Sequence, residues 1–222
     1  MTRSKPCKKL VAFFDVDETL INIKSMFNFY EFWCCENNGY DKFENYMEHF
    51  RDQVKKGTSR EQLNRDYYRN FVGVSYKKLE EAGEKWFRVN FESGFFIDSA
   101  VRALRKHQAE NTDAVFISGS MRPILSPVAI YLGVKDILCA PLVITDVGTL
   151  TGEIGMPQTI GCGKKDVLIQ FCSHKKISPA DCYAYGDDLS DIPMLESVGH
   201  PVCVGKSTAL AKYAINQHWP VI

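Results

Sequence analysis

The 222-residue sequence lacks an excess of charge of either sign and lacks any long hydrophobic run. Its 27 Lys and Arg residues balance its 27 Asp and Glu residues, which argues against sequence-independent, polybasic binding to nucleic acid or to an anionic membrane surface. No apolar run approaches the roughly 18 residues that a membrane span needs. Residues 10–14 are apolar, but Asp15 follows at once, which is not typical of a signal peptide. We therefore expect a cytoplasmic protein with no nucleic-acid partner and no membrane partner.

The sequence also lacks any C-x-x-C pair, although it has eight cysteines. Without a secretion signal, reduced thiols are favoured over a disulfide framework. Cys139, Cys182 and Cys203 lie in strand-like apolar stretches, where a thiol usually packs as a small hydrophobic group. We expect these three side chains to be buried and structural, rather than zinc ligands or redox centres.

What the sequence does have is an alternation of short apolar runs and helical patterns. The runs predict buried strands at residues 9–14, 113–117, 182–185 and 200–204. The helical patterns lie at residues 99–108, 123–132, 165–172 and 208–217. This alternation predicts an α/β fold with a parallel, Rossmann-like sheet that helices cover on both faces. Turn residues within 142–154 predict an additional hairpin.

Residues 22–95 interrupt this alternation, since no strand-like run occurs among them. Met26, Phe29, Tyr30 and Trp33 fall on one face of a helix, and later apolar positions repeat that spacing. Seventeen of the 27 aromatic residues lie in this segment, enough for it to build a small core of its own. The pattern predicts an inserted all-helical cap domain, which is either only a structural subdomain or a lid over a site.

Polar side chains follow the predicted strands at the ends where open parallel sheets bind ligands. Several carboxylates at one sheet edge would repel one another, and a divalent cation resolves that conflict. Their hard oxygen ligands favour Mg²⁺, and a cation with a lysine and a serine hydroxyl makes a phosphate site. The side chains concerned are Asp15, Asp17, Ser118, Lys164, Asp187, Asp188 and Asp191.

These residues fall in four ordered motifs that resemble those of the haloacid-dehalogenase (HAD) superfamily, in its phosphoserine-phosphatase-like branch. The first motif is F-F-D-V-D-E-T-L at residues 13–20, and the second is V-F-I-S-G-S at residues 115–120. The third is a lysine that opens a helix, and the fourth is G-D-D-L-S-D at residues 186–191. The resemblance covers essentially the whole chain. It implies an α/β catalytic core at residues 1–21 and 96–222, and a helical cap at residues 22–95.

The resemblance also implies the chemistry of the first motif. Asp15 would be the nucleophile that forms an aspartyl-phosphate, and Asp17 would protonate the leaving alcohol and then activate water. Dehalogenases of this superfamily lack the second aspartate, so Asp17 indicates hydrolysis of a phosphomonoester. The implied substrate is a small phosphorylated metabolite.

The other motifs would hold the metal and the phosphoryl group. The resemblance implies that the Asp15 carboxylate, the Asp17 backbone carbonyl and Asp187 bind Mg²⁺, and that Asp191 supports the waters of the metal. It implies that Ser118, the Gly119 amide and a lysine bind the phosphoryl oxygens.

Two lysines compete for the phosphate-binding position. Counting from Lys164 places Leu168 and Phe171 at the buried helical positions +4 and +7, whereas counting from Lys165 places Ile169 and Cys172 there. The pattern therefore favours Lys164 and a solvated Lys165.

The cap departs from the phosphoserine phosphatases at one position. Those enzymes read the ammonium group of the substrate with a glutamate nine residues after the nucleophile, and here Lys24 stands there. A cation would repel an amino group, so we expect an enzyme that is not specific for phosphoserine, unless Lys24 is only a solvated residue. Further cap candidates are Asn22, Asn28, Arg60 and Arg65.

Three other functions use similar residues. A phosphorylatable receiver module usually places its phosphoacceptor on a middle strand and lacks a large helical insert. A phosphoprotein phosphatase is a second alternative, because D-V-D-E-T-L is close to the D-L-D-E-T-L of enzymes that act on polymerase tails. A phosphomutase or another phosphotransferase can share both aspartates and would transfer the phosphoryl group instead of releasing phosphate.

Overall fold

The computed structural model describes residues 10–92 and 94–222 and contains a five-stranded parallel sheet at its centre. The strands of this sheet are β1 (Val11–Phe14), β2 (Asp113–Ile117), β3 (Asp136–Leu138), β6 (Tyr183–Gly186) and β7 (His200–Cys203). Their order in the sheet is β3-β2-β1-β6-β7, with every neighbouring pair parallel. The predicted α/β fold is therefore confirmed.

Helices cover the sheet, as predicted from the alternating pattern. Four of them match the predicted helices to within three residues at each end, and the short α8 (Ile192–Leu195) was not predicted. The predicted helix at 165–172 is longer than its apolar pattern, since α7 starts at Cys162 and ends at Lys175. The matching helices are α5 (Asp98–Ala109), α6 (Arg122–Leu132), α7 (Cys162–Lys175) and α9 (Ala209–Asn216).

Residues 22–95 form helices and no named strand in their described part. Three short connections join the helices, and Ser59 caps the third helix by accepting a hydrogen bond from the Gln62 amide at 3.2 Å. The helices fall within the predicted cap, whose exact domain boundaries stay a prediction. They are α1 (Ser25–Glu36), α2 (Tyr40–Lys55), α3 (Arg60–Arg69) and α4 (Tyr76–Asn90).

The predicted hairpin is confirmed as the antiparallel pair β4 (Leu142–Ile144) and β5 (Leu150–Ile154). It joins the cap through backbone hydrogen bonds. The Gly73 amide donates to the Leu150 carbonyl at 2.8 Å, and the Leu150 amide donates to the Val74 carbonyl at 2.8 Å. These bonds fix the segment between α3 and α4 to the hairpin.

The described residues of the cap do not form a separate core, so the expectation of an independent one is wrong. Phe29, Phe71 and Trp86 of the cap are fully buried in the same apolar cluster as Phe14 and Phe116 of the sheet. The reason is that α4 packs closely on α6. A Cβ at Gly83 in α4 would lie 2.0 Å from the Pro123 carbonyl oxygen, so this close approach requires glycine.

The cysteines follow the expectation in most respects. All seven in the described part of the chain are free thiols, and Cys182 and Cys203 are buried. Cys139 is only half-buried because it lies just after the edge strand β3. None of the helices among the described residues is both long and apolar enough to cross a membrane.

Candidate active site

A cavity of about 470 Å³ lies at the carboxyl-terminal edge of the sheet, beneath the cap. The ends of β1, β2 and β6 line one side of it, and residues of α1, α2 and α3 line the other. The structure therefore brings together all the strand-end residues that the sequence singled out. Those that line the cavity are Asp15, Asp17, Ser118, Gly119, Lys164, Asp187, Asp188 and Asp191.

A buried lysine lies between two carboxylates at the centre of this edge. The Lys164 amine is 2.7 Å from Asp15 Oδ1 and 2.6 Å from Asp191 Oδ1, and all three side chains are more than 90% buried. Burial opposes the charge of Lys164, but Asp15 and Asp191 outweigh it and raise the pKa of the amine. Burial also raises the pKa of Asp15, although Lys164 lowers it in part. Lys164 thus holds the Asp15 carboxylate in place.

The choice between the two lysines agrees with the helical register. Lys164 is 5% exposed in the first turn of α7, whereas Lys165 is exposed. Leu168 is fully buried one turn later, as the pattern required, but Phe171 is only half-buried, and the neighbouring Cys172 is the buried residue two turns on. Gly163 allows the helix to start here, because a Cβ would lie 1.6 Å from the Gln158 carbonyl oxygen.

Asp187 completes a group of carboxylates that could bind a metal. One oxygen each of Asp15, Asp187 and Asp191 lie within 4.8 Å of one another. Asp187 is half-buried and accepts a hydrogen bond from Thr19 Oγ1 at 2.8 Å. Burial raises the pKa of Asp187, and the nearby Asp191 raises it further. Converging acids whose charged forms are disfavoured make a site that a divalent cation stabilises.

Asp191 fits into this group of carboxylates because of a neighbouring glycine. A Cβ at Gly186 would lie 2.6 Å from Asp191 Oδ2, so only glycine leaves room for the carboxylate. Asp188 caps the following 3₁₀ turn, Leu189–Asp191, by accepting from the Ser190 amide at 2.9 Å. The spacing of the fourth motif therefore turns Asp191 back towards Lys164.

Asp17 lies beside Asp15 with one oxygen held and one free. Its Oδ2 accepts from the Ser25 amide at 3.1 Å, at the start of α1. Its Oδ1 is buried and has no hydrogen-bond partner among the described residues. Burial raises the pKa of Asp17 to about 7, although hydrogen bonds from Ser25 lower it in part. The side chain is therefore suited to carry a proton near neutral pH and to donate it from the free oxygen.

Two cap residues hold the backbone of residues 118–120, the serine loop that follows β2. The sequence did not indicate either of them. Tyr68 Oη donates to the Gly119 carbonyl at 2.7 Å, and Asn64 Nδ2 donates to the same oxygen at 3.1 Å. The Ser120 amide donates to Ser118 Oγ at 3.1 Å, which turns the loop tightly at the end of β2. The only sequence signal was a polar residue on the buried face of α3.

The predicted cap candidates divide into two groups. Lys24 and Arg60 line the cavity, where their nitrogens lie 3.4 Å from Glu18 Oε2 and 2.5 Å from Asp188 Oδ1. Asn22, Asn28 and Arg65 do not line it. Asn28 accepts from Trp86 Nε1 at 2.7 Å, and Arg65 donates to the Ile154 carbonyl at 3.4 Å.

Comparison with known protein families assigns the chain to one of them. A model of the family described as haloacid dehalogenase-like hydrolase matches residues 12–196. The chain therefore belongs to the haloacid dehalogenase-like hydrolase family. The predictions of this family and of a hydrolase are confirmed.

Two curated proteins are similar to different extents. A probable phosphatase of Mycobacterium tuberculosis is 32% identical over 123 residues, which are 55% of this chain and 42% of that protein. This chain thus spans less than half of that relative. A histidinol-phosphatase of Neisseria meningitidis serogroup C is 26% identical over 96% of this chain and 98% of its own length.

Solved structures show the same fold along nearly the whole chain. A protein of unknown function from Bordetella pertussis superposes with a TM-score of 0.87 at 22% identity, covering 97% of this chain and 99% of that one. A substrate-bound phosphoserine phosphatase superposes with a TM-score of 0.65 at 18% identity, covering 94% and 91%. At these identities the likeness concerns the fold alone.

Proposed function

We propose that this chain is a phosphatase that hydrolyses a small-molecule phosphomonoester through an aspartyl-phosphate on Asp15. The observation that carries the proposal is the Lys164 amine between Asp15 and Asp191, in a cavity that also holds Asp17 and Ser118. A buried cation beside a buried carboxylate can offset the charge of a phosphoryl group during attack. The similarity to a probable phosphatase of Mycobacterium tuberculosis and to a histidinol-phosphatase of Neisseria meningitidis supports this proposal.

Mg²⁺ is the proposed cofactor because the donor set suits it. The carboxylates of Asp15 and Asp187 and the Asp17 backbone carbonyl would hold the ion, with Asp191 supporting its waters. The fit rests on the three oxygens of Asp15, Asp187 and Asp191 within 4.8 Å of one another. When bound, Mg²⁺ supplies positive charge that offsets the charges of the phosphoryl group and the carboxylates.

The proposed reaction has two steps. In the first, an Asp15 oxygen bonds to phosphorus while the ester oxygen leaves, and the protonated Asp17 gives its proton to that oxygen, which departs as the alcohol. In the second, Asp17 takes a proton from water, and the water oxygen bonds to phosphorus. The bond between phosphorus and the Asp15 oxygen then breaks, which releases phosphate and restores both side chains. Ser118, the Gly119 amide and Lys164 would hold the other phosphoryl oxygens throughout.

The cap favours a small substrate over the alternatives. Helices α1, α2 and α3 all contribute to the wall of the cavity, which lies beneath them. A phosphorylated loop of a protein would have to enter under these helices, so the phosphoprotein phosphatase is the weaker candidate. A phosphotransferase would use the same aspartates, and release of inorganic phosphate to water distinguishes the hydrolase from it.

The test is phosphate release from a panel of phosphomonoesters, with Mg²⁺ and with a chelator, for a matched pair of variants. Asp187→Asn removes a carboxylate of the metal group, and Asp188→Asn removes the neighbouring carboxylate outside it. We expect Asp187→Asn to lose roughly 100-fold or more in activity and its thermal stabilisation by Mg²⁺, because the ion loses a charged ligand. Asp188→Asn should stay within about threefold. Mg²⁺-independent hydrolysis, or equal effects of the two variants, would contradict the proposal.

A further inference from the structure

We propose that an aromatic wall formed by Phe27, Tyr46 and Phe50 binds the leaving group of the substrate, and that this group is an uncharged, ring-sized apolar alcohol. All three side chains line the cavity that contains Asp15 and Lys164. The inference rests on the proposed function, because it names the substrate class of that same site.

The wall is a continuous apolar stripe on one helix face. Tyr46, Phe50 and Val54 follow one another at intervals of four residues in α2, so their side chains lie above one another on the same side. Phe27 of α1 extends the stripe, with its ring centroid 4.9 Å from that of Phe50 in an edge-to-face arrangement.

This stripe keeps apolar surface open to the cavity. None of the residues of α2 is fully buried, and Val54 is 50% exposed. The three aromatic side chains are half-buried rather than buried. An apolar surface of this kind inside a cavity gains free energy when an apolar group covers it.

The cap side of the cavity offers no uncompensated charge among its described lining residues. Its two cations, Lys24 and Arg60, lie 3.4 Å from Glu18 and 2.5 Å from Asp188. A charged leaving group would have to compete with one member of these pairs, an anion with Glu18 or Asp188 and a cation with Lys24 or Arg60. An uncharged leaving group leaves both ion pairs in place, which favours it over an amino acid ester.

The aromatic wall lines the same cavity as Ser118 and Lys164, the proposed phosphate-binding residues. Met26 and Asn64 also line this cavity, and Asn64 Nδ2 lies 3.4 Å from Met26 Sδ and donates to the Gly119 carbonyl at 3.1 Å. The volume of about 470 Å³ lies in the range of small-molecule sites and accommodates a phosphoryl group joined to a single ring. The phosphoryl group at Lys164 therefore positions the rest of the ester against the wall.

The experiment compares two alkyl esters that differ in the ring. Benzyl phosphate and ethyl phosphate release alcohols of similar basicity, so their ratio of kcat/KM reports contact with the leaving group. We expect benzyl phosphate to be preferred roughly tenfold or more, because a buried phenyl ring gains the transfer free energy of an apolar side chain. Phosphoserine should be a poorer substrate than benzyl phosphate.

Variants on α2 test which side chains cause the preference for benzyl phosphate over ethyl phosphate. Phe50→Ala should lower the benzyl-to-ethyl ratio roughly tenfold, since it removes a ring from the wall. Val54→Asp should lower the ratio as well, and the protein should still fold because the Val54 side chain is 50% exposed. His49→Ala is the matched control on the exposed side of the same helix and should keep the wild-type ratio.

Two results would overturn the inference: equal kcat/KM for the two esters, or a ratio that is unchanged in both Phe50→Ala and Val54→Asp. A binding measurement separates this failure from failure of the proposed function. Calorimetry with 2-phenylethylphosphonate and propylphosphonate, in which a methylene replaces the ester oxygen, needs no turnover. Tighter binding of the phenyl compound without hydrolysis of either ester would contradict the proposed phosphatase activity and support the aromatic subsite. Equal binding of the two phosphonates would contradict the proposed aromatic subsite.

Discussion

The two sides of the cavity are built from opposite kinds of interaction. On the sheet side, Lys164 contacts Asp15 and Asp191, with the exposed fraction of every side chain below 10%. On the cap side, Lys24 pairs with Glu18 and Arg60 with Asp188, but the exposed fraction of each of these side chains is between 45% and 59%.

Burial decides how much each interaction contributes. Charges removed from water interact strongly and hold one another in a fixed geometry, whereas exposed ion pairs contribute about 0 to 1 kcal/mol. We therefore expect substitutions on the sheet side to affect every substrate, and substitutions on the cap side to affect the choice among substrates.

The largest expected effect is that of Asp15→Asn. It removes the proposed nucleophile, so phosphate release should fall roughly 1000-fold or more for every ester tested. The fold should survive because Lys164 keeps its contact with Asp191 at 2.6 Å. Steady-state kinetics with circular dichroism as the folding control would check this. Full activity in a folded Asp15→Asn protein would rule out the nucleophile assignment.

The second prediction compares two neighbouring lysines, one buried between carboxylates and one exposed. Lys164→Met leaves Asp15 and Asp191 without their shared cation, so activity should fall roughly 100-fold and the free energy of unfolding should drop by about 3 kcal/mol. Lys165→Met changes an exposed side chain one residue later and should alter both quantities little. Denaturant unfolding and kinetics of the two variants give the measurement. A larger effect at Lys165 would reverse the assignment of the lysine.

The third prediction concerns Tyr68, a cap residue that contacts the sheet side of the cavity. Tyr68→Phe removes the hydrogen bond to the Gly119 carbonyl, whereas Tyr67→Phe removes one to the Met26 carbonyl at 2.9 Å. Both hydroxyls are buried, so each variant should lose about 1 kcal/mol of stability. Only Tyr68→Phe should lower kcat/KM, about three- to tenfold and for all esters alike. If the two variants had the same kinetics, the cap would not position the serine loop.

The smallest effect is expected for Lys24→Ala. The Lys24 side chain is 59% exposed and paired with Glu18, so its removal should change kcat/KM for phosphoserine less than about threefold. The same substitution tests the prediction that Lys24 repels an ammonium group. A rise of tenfold or more for phosphoserine, without a rise for benzyl phosphate, would show that Lys24 reads the charge of the substrate.

The sequence predicted the parts of the molecule that depend on local pattern. The apolar runs located four of the five strands of the main sheet, and the +4 position of Leu168 selected Lys164 over Lys165. Strand β3 was missed because a run of three residues is too short to show a pattern. The ends of α7 were missed because polar residues flank its apolar face.

The parts that the sequence did not predict depend on contacts between distant segments. Tyr68 lies 51 residues from Gly119, and no periodicity in α3 indicates which backbone group its hydroxyl meets. The count of aromatic residues suggested a separate cap core, but composition carries no information on whether Trp86 packs against the cap alone or also against the sheet. The close approach at Gly83 decides that question, and it is visible only when α4 and α6 are placed together.

Helix α2 differs from the rest of the cap in a way that concerns its tolerance of mutation. Helix α4 is committed to the core through Gly83, so a substitution there endangers folding. In α2, by contrast, no residue is fully buried, and the helix nevertheless supplies Tyr46, Phe50 and Val54 to the cavity. Mutations on this helix can therefore alter the cavity with little loss of stability, which makes α2 the natural place for new substrate preferences to evolve or to be engineered.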